Sequence, residues 1–158
     1  KDLASITVKL NALTDTILLE HLYKAAKAGV TVNLIVRGIL TTKKLNEKNA
    51  GNINAISIVD QYLEHARVMI FYNKGNHKVY ISSADWMVRN LDHRIEVAVP
   101  IVDPTLKKEL IDIIQIQLKD NQKARILDAE LNNKYVTSAK SASFKSQEET
   151  YKFLKGKK

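Results

Sequence analysis

The chain has 158 residues, 45% hydrophobic and 27% charged, with a formal net charge of +8, a balance that suits one globular domain with its own core. It has no cysteine, which excludes disulfides and thiolate-bound zinc, and its four scattered histidines lack the H-E-x-x-H spacing of a metal site. No apolar run is long enough to span a bilayer and no signal peptide is legible, so the expected location is the cytoplasm.

Residues 132–158 carry +5 of the charge and the rest only +3. A solvated basic tail and a tail that attracts a polyanion both fit that distribution. The chain opens Lys1-Asp2-Leu3, without an initiator methionine, and is expected to be a segment of something larger.

Residues 5–10 alternate weakly and are β-branched, as in a strand. Thr14 or Asp15 can cap a helix running to about Ala28, with Leu18, Leu22 and Ala25 on one face. Lys24, Lys27 and Gly29 supply its stop chemistry. Residues 30–36 are nearly all apolar, the pattern of a strand buried on both faces. Strand, helix and buried strand form a βαβ unit, which predicts parallel strands and a right-handed crossover. Arg37-Gly38 then lies at the carboxyl end of a parallel strand, where α/β sheets place ligand-binding residues. An ordinary surface arginine is the alternative.

Residues 41–51 are polar, lysine-rich and aperiodic, the composition of a flexible loop. Residues 54–59 form a further short strand. Strands at 68–72 and 78–83 flank Asn73-Lys74-Gly75-Asn76-His77, a turn composition that predicts an antiparallel hairpin with His77 exposed at its tip. Residues 94–102 read as the last clear strand, with Ile95, Val97 and Val99 on one face. Asp103-Pro104 starts a helix to about Leu118, striped by Leu106, Leu110, Ile113, Ile114 and Leu118. Residues 122–131 are expected to form a short helix and 138–143 a linker. Residues 148–154 suggest a terminal helix that docks weakly, or only on a larger protein. The whole predicts an α/β fold, a mixed sheet flanked by helices.

The chemistry concentrates between Tyr62 and Arg94. His65 and Arg67 are two residues apart, so in extended backbone both side chains face one side. Imidazole beside guanidinium suits an anionic ligand, with the histidine as nucleophile, proton donor or cationic contact. A merely exposed histidine is the plainer reading. Ser83 and Asp85 close the next strand on a shared face and can orient His65, bind a metal, or simply serve as turn and cap residues. Trp86 is core or a lid. Arg89, Asn90 and Arg94 are phosphate contacts or else partners of Asp92 or Glu96.

The spacing His65-x-Arg67 followed by Ser83-x-Asp85 resembles the phospholipase D pattern. Arg67 replaces that family's lysine, Tyr72 stands where it has aspartate, and only one half-site of the two it needs is present. A closer resemblance rests on longer segments. These are Lys9-Leu10-Asn11 with Asp15, Val32-Asn33-Leu34-Ile35-Val36-Arg37-Gly38, Ile56-Ser57-Ile58-Val59-Asp60 and Leu63-Glu64-His65-Ala66-Arg67. They continue with Val79-Tyr80-Ile81-Ser82-Ser83-Ala84-Asp85-Trp86-Met87, Arg89-Asn90-Leu91-Asp92 and Arg94-Ile95-Glu96-Val97. Together they resemble the last catalytic, phospholipase-D-like domain of the polyphosphate kinase family, over residues 5 to about 135.

That resemblance implies reversible transfer of the terminal phosphate of ATP to polyphosphate, with magnesium whose ligands lie mainly outside this segment. It implies that His65 and Arg37 contact the nucleotide phosphates, with Arg94, Arg67 and Arg89 near the phosphate channel and Ser83, Asp85 and Asn90 in support. The phosphorylated histidine belongs to the preceding domain, so residues 1–158 alone are expected to be inactive. Expected partners are ATP or ADP, polyphosphate, the enzyme's other domains and a second copy of the full-length protein, and no nucleic acid. A peripheral association with the inner membrane is a further option. The resemblance sets a catalytic domain at 1–135 and a basic tail at 136–158. The chain departs from the family after Arg37: residues 41–51 lack its proline and arginine, and Ala50 replaces a serine before Asn52-Ile53. Two other readings stay open: a phospholipase-D-type phosphodiesterase completed by dimerisation, and a non-enzymatic polyanion-binding module.

Overall fold

A computed structural model describes residues 4–41, 52–130, 132–137 and 142–157. Its elements are β1 (Ala4–Leu10), α1 (Thr16–Lys27), β2 (Thr31–Val36), β3 (Ile53–Ile58), β4 (Val68–Asn73) and β5 (Asn76–Ser82). They continue with α2 (Val88–Leu91), β6 (Ala98–Pro100), α3 (Pro104–Leu118), β7 (Ala124–Ile126) and α4 (Ser146–Lys155). The strands form one mixed seven-stranded sheet in the order β6-β5-β4-β1-β2-β3-β7. β1 pairs in parallel with β2, and β2 with β3, while the remaining pairs are antiparallel.

The alternation of side chains along each strand divides the core between two faces. Val8, Leu10, Val32, Leu34 and Val36 pack under Leu19, Leu22 and Ala26 of α1. Ile35, Val68, Ile70 and Val79 pack with Ile114 of α3. Asp15 caps α1, its carboxylate accepting from the Leu18 N–H at 2.8 Å. Asp103 caps α3 by accepting from the N–H groups of Thr105 and Leu106, with Pro104 at the first helical position. The β4–β5 hairpin turns on Lys74 and Gly75 alone, with φ of 47° and 88°. Positive φ at both positions matches the right-handed twist of the flanking strands. The strands are therefore longer than expected. His77 is half-buried, its ring centroid 4.6 Å from that of Tyr72, rather than exposed at the tip.

Three further expectations need correction. Within 94–102 only Ala98–Pro100 pairs, as an edge strand on β5. The Ser83 N–H donates to the Val97 carbonyl at 3.0 Å, but the Val97 N–H goes to the Ser83 hydroxyl at 2.9 Å, so the ladder ends at this pair, and Ile95 is fully exposed. Residues 124–126 form strand β7 on the edge of β3, not a helix. An open sheet edge that buries Ala124 overrides the local helical composition. The terminal helix does not dock weakly. Ser146 at its start is fully buried, and its N–H donates to Asp120 Oδ2 at 2.8 Å. Of the predicted loop and linker, residues 42–51 and 138–141 lie outside the described residues.

Asp120 is the knot of this end of the molecule. Its Oδ1 accepts from the N–H groups of Gln122, Lys123 and Ala124 at 2.6–3.0 Å. Burial pushes its carboxyl up, but the Lys123 and Ser146 N–H groups outweigh that and hold it below the usual carboxylate range. Asp120→Ala is expected to cost about 3 kcal/mol, because it strands buried N–H donors. Urea unfolding of the chain checks this. The contribution is complete above the unfolded carboxylate pKa and is lost as pH falls through the lower folded value.

Candidate functional site

Because β4 runs antiparallel to both β1 and β5, one edge of the sheet collects the carboxyl ends of β1, β2 and β5 and the amino end of β4. Asn11 follows β1, Arg37 follows β2, His65 and Arg67 precede β4, and Asp85 follows β5. The topology thus gathers residues far apart in the chain.

Buried Asp85 organises the group. Its Oδ1 accepts from the backbone N–H groups of Asn11 and Ala12 at 2.8 and 2.9 Å, and its Oδ2 from Arg67 Nη2 at 2.8 Å. Burial raises its carboxyl pKa, yet the Arg67 hydrogen bond and the two N–H groups prevail and hold it below the usual carboxylate range. Arg67 also reaches His65, with Nη2 3.1 Å from Nε2 and Nη1 donating to the carbonyl at 3.2 Å. A guanidinium can only donate, so Nε2 accepts and Nδ1 carries the proton. That tautomer leaves an N–H donor on an exposed ring. Arg37 rests on Asn11, its Nε donating to Oδ1 at 2.8 Å and its Nη2 to the same oxygen. A Cβ at Gly38 would lie 3.0 Å from the Asn11 carbonyl oxygen, so the chain passes there only with glycine or a backbone shift.

Beneath the His65 segment lies a second network. Lys9 is buried, and its Nζ donates to Glu64 Oε2 and, at 2.8 Å, to Gln117 Oε1. Burial depresses the Lys9 amine; Glu64 offsets this only in part. Nothing in the local pattern assigned roles to Asn11, Glu64 or Gln117. The one available signal was Lys9 itself, a charge inside an apolar strand that requires a partner.

Ser83 and Asn90 converge on Glu96 instead of His65. The Ser83 hydroxyl donates to Glu96 Oε2 and Asn90 Nδ2 to Oε1 at 2.8 Å. Those two bonds lower the Glu96 pKa, helped by the charge of Arg94. Arg89 and Arg94 are exposed, and among the described residues neither has a hydrogen-bond or ion-pair partner. Trp86 is half-buried against the α1-side core, so it is core packing rather than a lid. Tyr72 lies at the far end of β4, paired in register with Ser5. A magnesium ion does not fit a protein-held position here. Among the described residues no cluster of three acidic or histidine side chains could hold a metal, and Asp85 is committed to N–H donors.

The mixed sheet and its flanking helices have a phospholipase-D-like fold. The fold matches the phospholipase D family member Nuc from Salmonella typhimurium with a TM-score of 0.59, covering 82% of this chain and 85% of that one. At 16% identity that likeness is one of fold.

The family profile described as polyphosphate kinase C-terminal domain 2 matches residues 1–147. Polyphosphate kinases from Escherichia coli (strain K12) and Klebsiella pneumoniae are 51% and 49% identical over 152 residues, 96% of this chain and 22% of each relative. The crystal structure of polyphosphate kinase from Porphyromonas gingivalis superposes with a TM-score of 0.94 at 44% identity, covering 99% of this chain and 24% of that one. The chain belongs to the polyphosphate kinase C-terminal domain family. It spans about a fifth of the length of the curated relatives it matches.

Proposed function

We propose that this chain supplies one half of the phosphoryl-transfer site of a polyphosphate kinase, which moves the terminal phosphate of ATP reversibly onto polyphosphate. The observation that carries the reading is the gathering of His65, Arg67 and Arg37 at one sheet edge, with Asp85 and Asn11 holding the arginines in place. Phosphoryl transfer asks the protein for positioning and charge neutralisation, which guanidinium and imidazole donors provide.

In this reading His65 and Arg37 bind the nucleotide phosphates. Arg67 orients the His65 ring, and Arg94 and Arg89 extend the positive surface along the phosphate path. Ser83 and Asn90 hold Glu96, which feels the charge of Arg94 without pairing with it. The histidine that becomes phosphorylated lies in a preceding domain, and magnesium arrives on the nucleotide with ligands outside this chain. Residues 1–135 are the catalytic domain and 136–158 a basic C-terminal segment whose helix packs on α3.

Exposed Ile95, Val97, Val99 and Val102 beside the β5–β6 edge support contact with the remaining domains of the enzyme. Homo-oligomerisation of the full-length protein and a cytoplasmic location complete the proposal. Among the described residues no helix is long and apolar enough to cross a membrane.

A half-site has a direct consequence. Residues 1–158 by themselves are expected to give no ATP-dependent polyphosphate synthesis under conditions where the complete enzyme is active, measured with radiolabelled ATP. Synthesis by the isolated chain would overturn the reading.

A further inference from the structure

His65 sits in residues 59–67, a segment joining β3 to β4 without helix or strand. Tyr62, Leu63 and His65 are all exposed, so apolar packing does little to fix them. Side chains from elsewhere do. Gln147, in the first turn of α4, takes both backbone groups of Tyr62. The Tyr62 N–H donates to its Oε1 at 3.0 Å, and its Nε2 donates to the Tyr62 carbonyl at 2.8 Å. Gln147 thereby supplies the pairing that a neighbouring strand would supply.

The same Nε2 donates to Glu64 Oε1 at 3.0 Å. The other Glu64 oxygen accepts from Lys9 and, at 2.7 Å, from Gln117. The residue next to His65 is thus held from β1, α3 and α4 at once. The helix that provides Gln147 is itself seated at both ends. Its first N–H bonds to Asp120, and beyond its last turn Lys157 pairs with Glu109 of α3 at 2.8 Å.

Resting on the reading of His65 as a phosphate ligand, we infer that α4 is a positioning element of the active site, acting through Gln147. Arg67 sets the His65 ring, and Gln147 sets the backbone on its amino side. The imidazole reaches a phosphate only if this exposed segment keeps its path. A group displaced by about 1 Å can lose about 100-fold in rate, so holding the segment is a catalytic requirement beyond stability. The loss falls on the reacting geometry, so it appears in kcat more than in KM.

The test uses the complete polyphosphate kinase as wild type, Gln147→Ala, His65→Ala and the double variant, with residual rates read from radiolabelled ATP. Gln147→Ala is expected to lower kcat about 10- to 100-fold with KM for ATP within about twofold. Amide exchange should quicken in residues 61–66 and stay unchanged in β1 and β4. In the His65→Ala background the Gln147 substitution should change the rate by less than about twofold, because it has nothing left to position. Gln147→Glu keeps the acceptor for the Tyr62 N–H but turns both donations into repulsion from the Tyr62 carbonyl and Glu64, so it should lower kcat at least as far, while circular dichroism melts of each variant guard against a folding artefact. Wild-type kcat in both Gln147 variants, unchanged exchange in 61–66, or an undiminished Gln147 effect without His65 would each overturn the inference. A fully active His65→Ala enzyme would overturn the underlying reading of His65 instead, which keeps the two failures apart.

Discussion

Replacing His65 by alanine in the complete enzyme is expected to lower the rate of polyphosphate synthesis by about 10²–10³-fold and leave the protein folded. Under the proposed function, the rate loss follows from removing a donor to charge that moves during transfer. The fold survives because the ring is exposed and its contact is with Arg67, which keeps its bond to Asp85. Arg37→Ala should behave alike: its side chain rests on Asn11, while its carbonyl still accepts from Ser57 at 3.1 Å. Initial rates with radiolabelled ATP, set beside circular dichroism melts, decide the matter. Near-normal synthesis by both variants would remove these residues from the site. Equal loss of rate and structure would make them scaffold.

Asp85→Ala should have the opposite profile, damaging fold and activity together. It leaves two buried backbone N–H groups and the mostly buried Arg67 guanidinium without their acceptor. Breaking a buried pair from one side costs about 3–5 kcal/mol. Arg67 would then no longer be aimed at His65. Asp85→Asn keeps the shape and one good acceptor, and should lose less stability. The pH dependence separates charge from shape. The folded carboxyl titrates below its unfolded value, so its contribution is complete above the unfolded pKa and fades as pH falls through the folded one. Denaturation midpoints taken from neutral to acid pH should fall more steeply for wild type than for Asp85→Asn. Parallel curves would show that the charge contributes nothing.

Elements whose signals are local were legible in the chain. Asp15, and Asp103 with Pro104, start helices where their cap chemistry says, and the apolar run after Gly29 is the buried strand β2. Strand β7 was hidden because its partner, the edge of β3, is set by tertiary pairing and its own sequence favours no strand. Residues 94–97 alternate like a strand, but the Ser83 hydroxyl competes for the Val97 N–H. The docking of α4 depends on Asp120, a residue whose burial no local pattern announces.

The site divides the same way. That His65 and Arg67 lie side by side was legible in their spacing, although both precede β4 instead of lying within a strand. That Arg67 is clamped by Asp85, and Glu64 by Lys9 and Gln117, depends on contacts across the sheet. Ser83 looked like a partner for His65 because both flank the hairpin strands. The fold gives it to Glu96 instead.

The most direct measurement is a crystal structure of the complete enzyme with a non-hydrolysable ATP analogue. Phosphate oxygens are expected within hydrogen-bond distance of His65 and Arg37 at the carboxyl ends of β1 and β2, with the Asp85–Arg67 pair intact. An analogue bound with its phosphates away from both side chains would contradict this expectation.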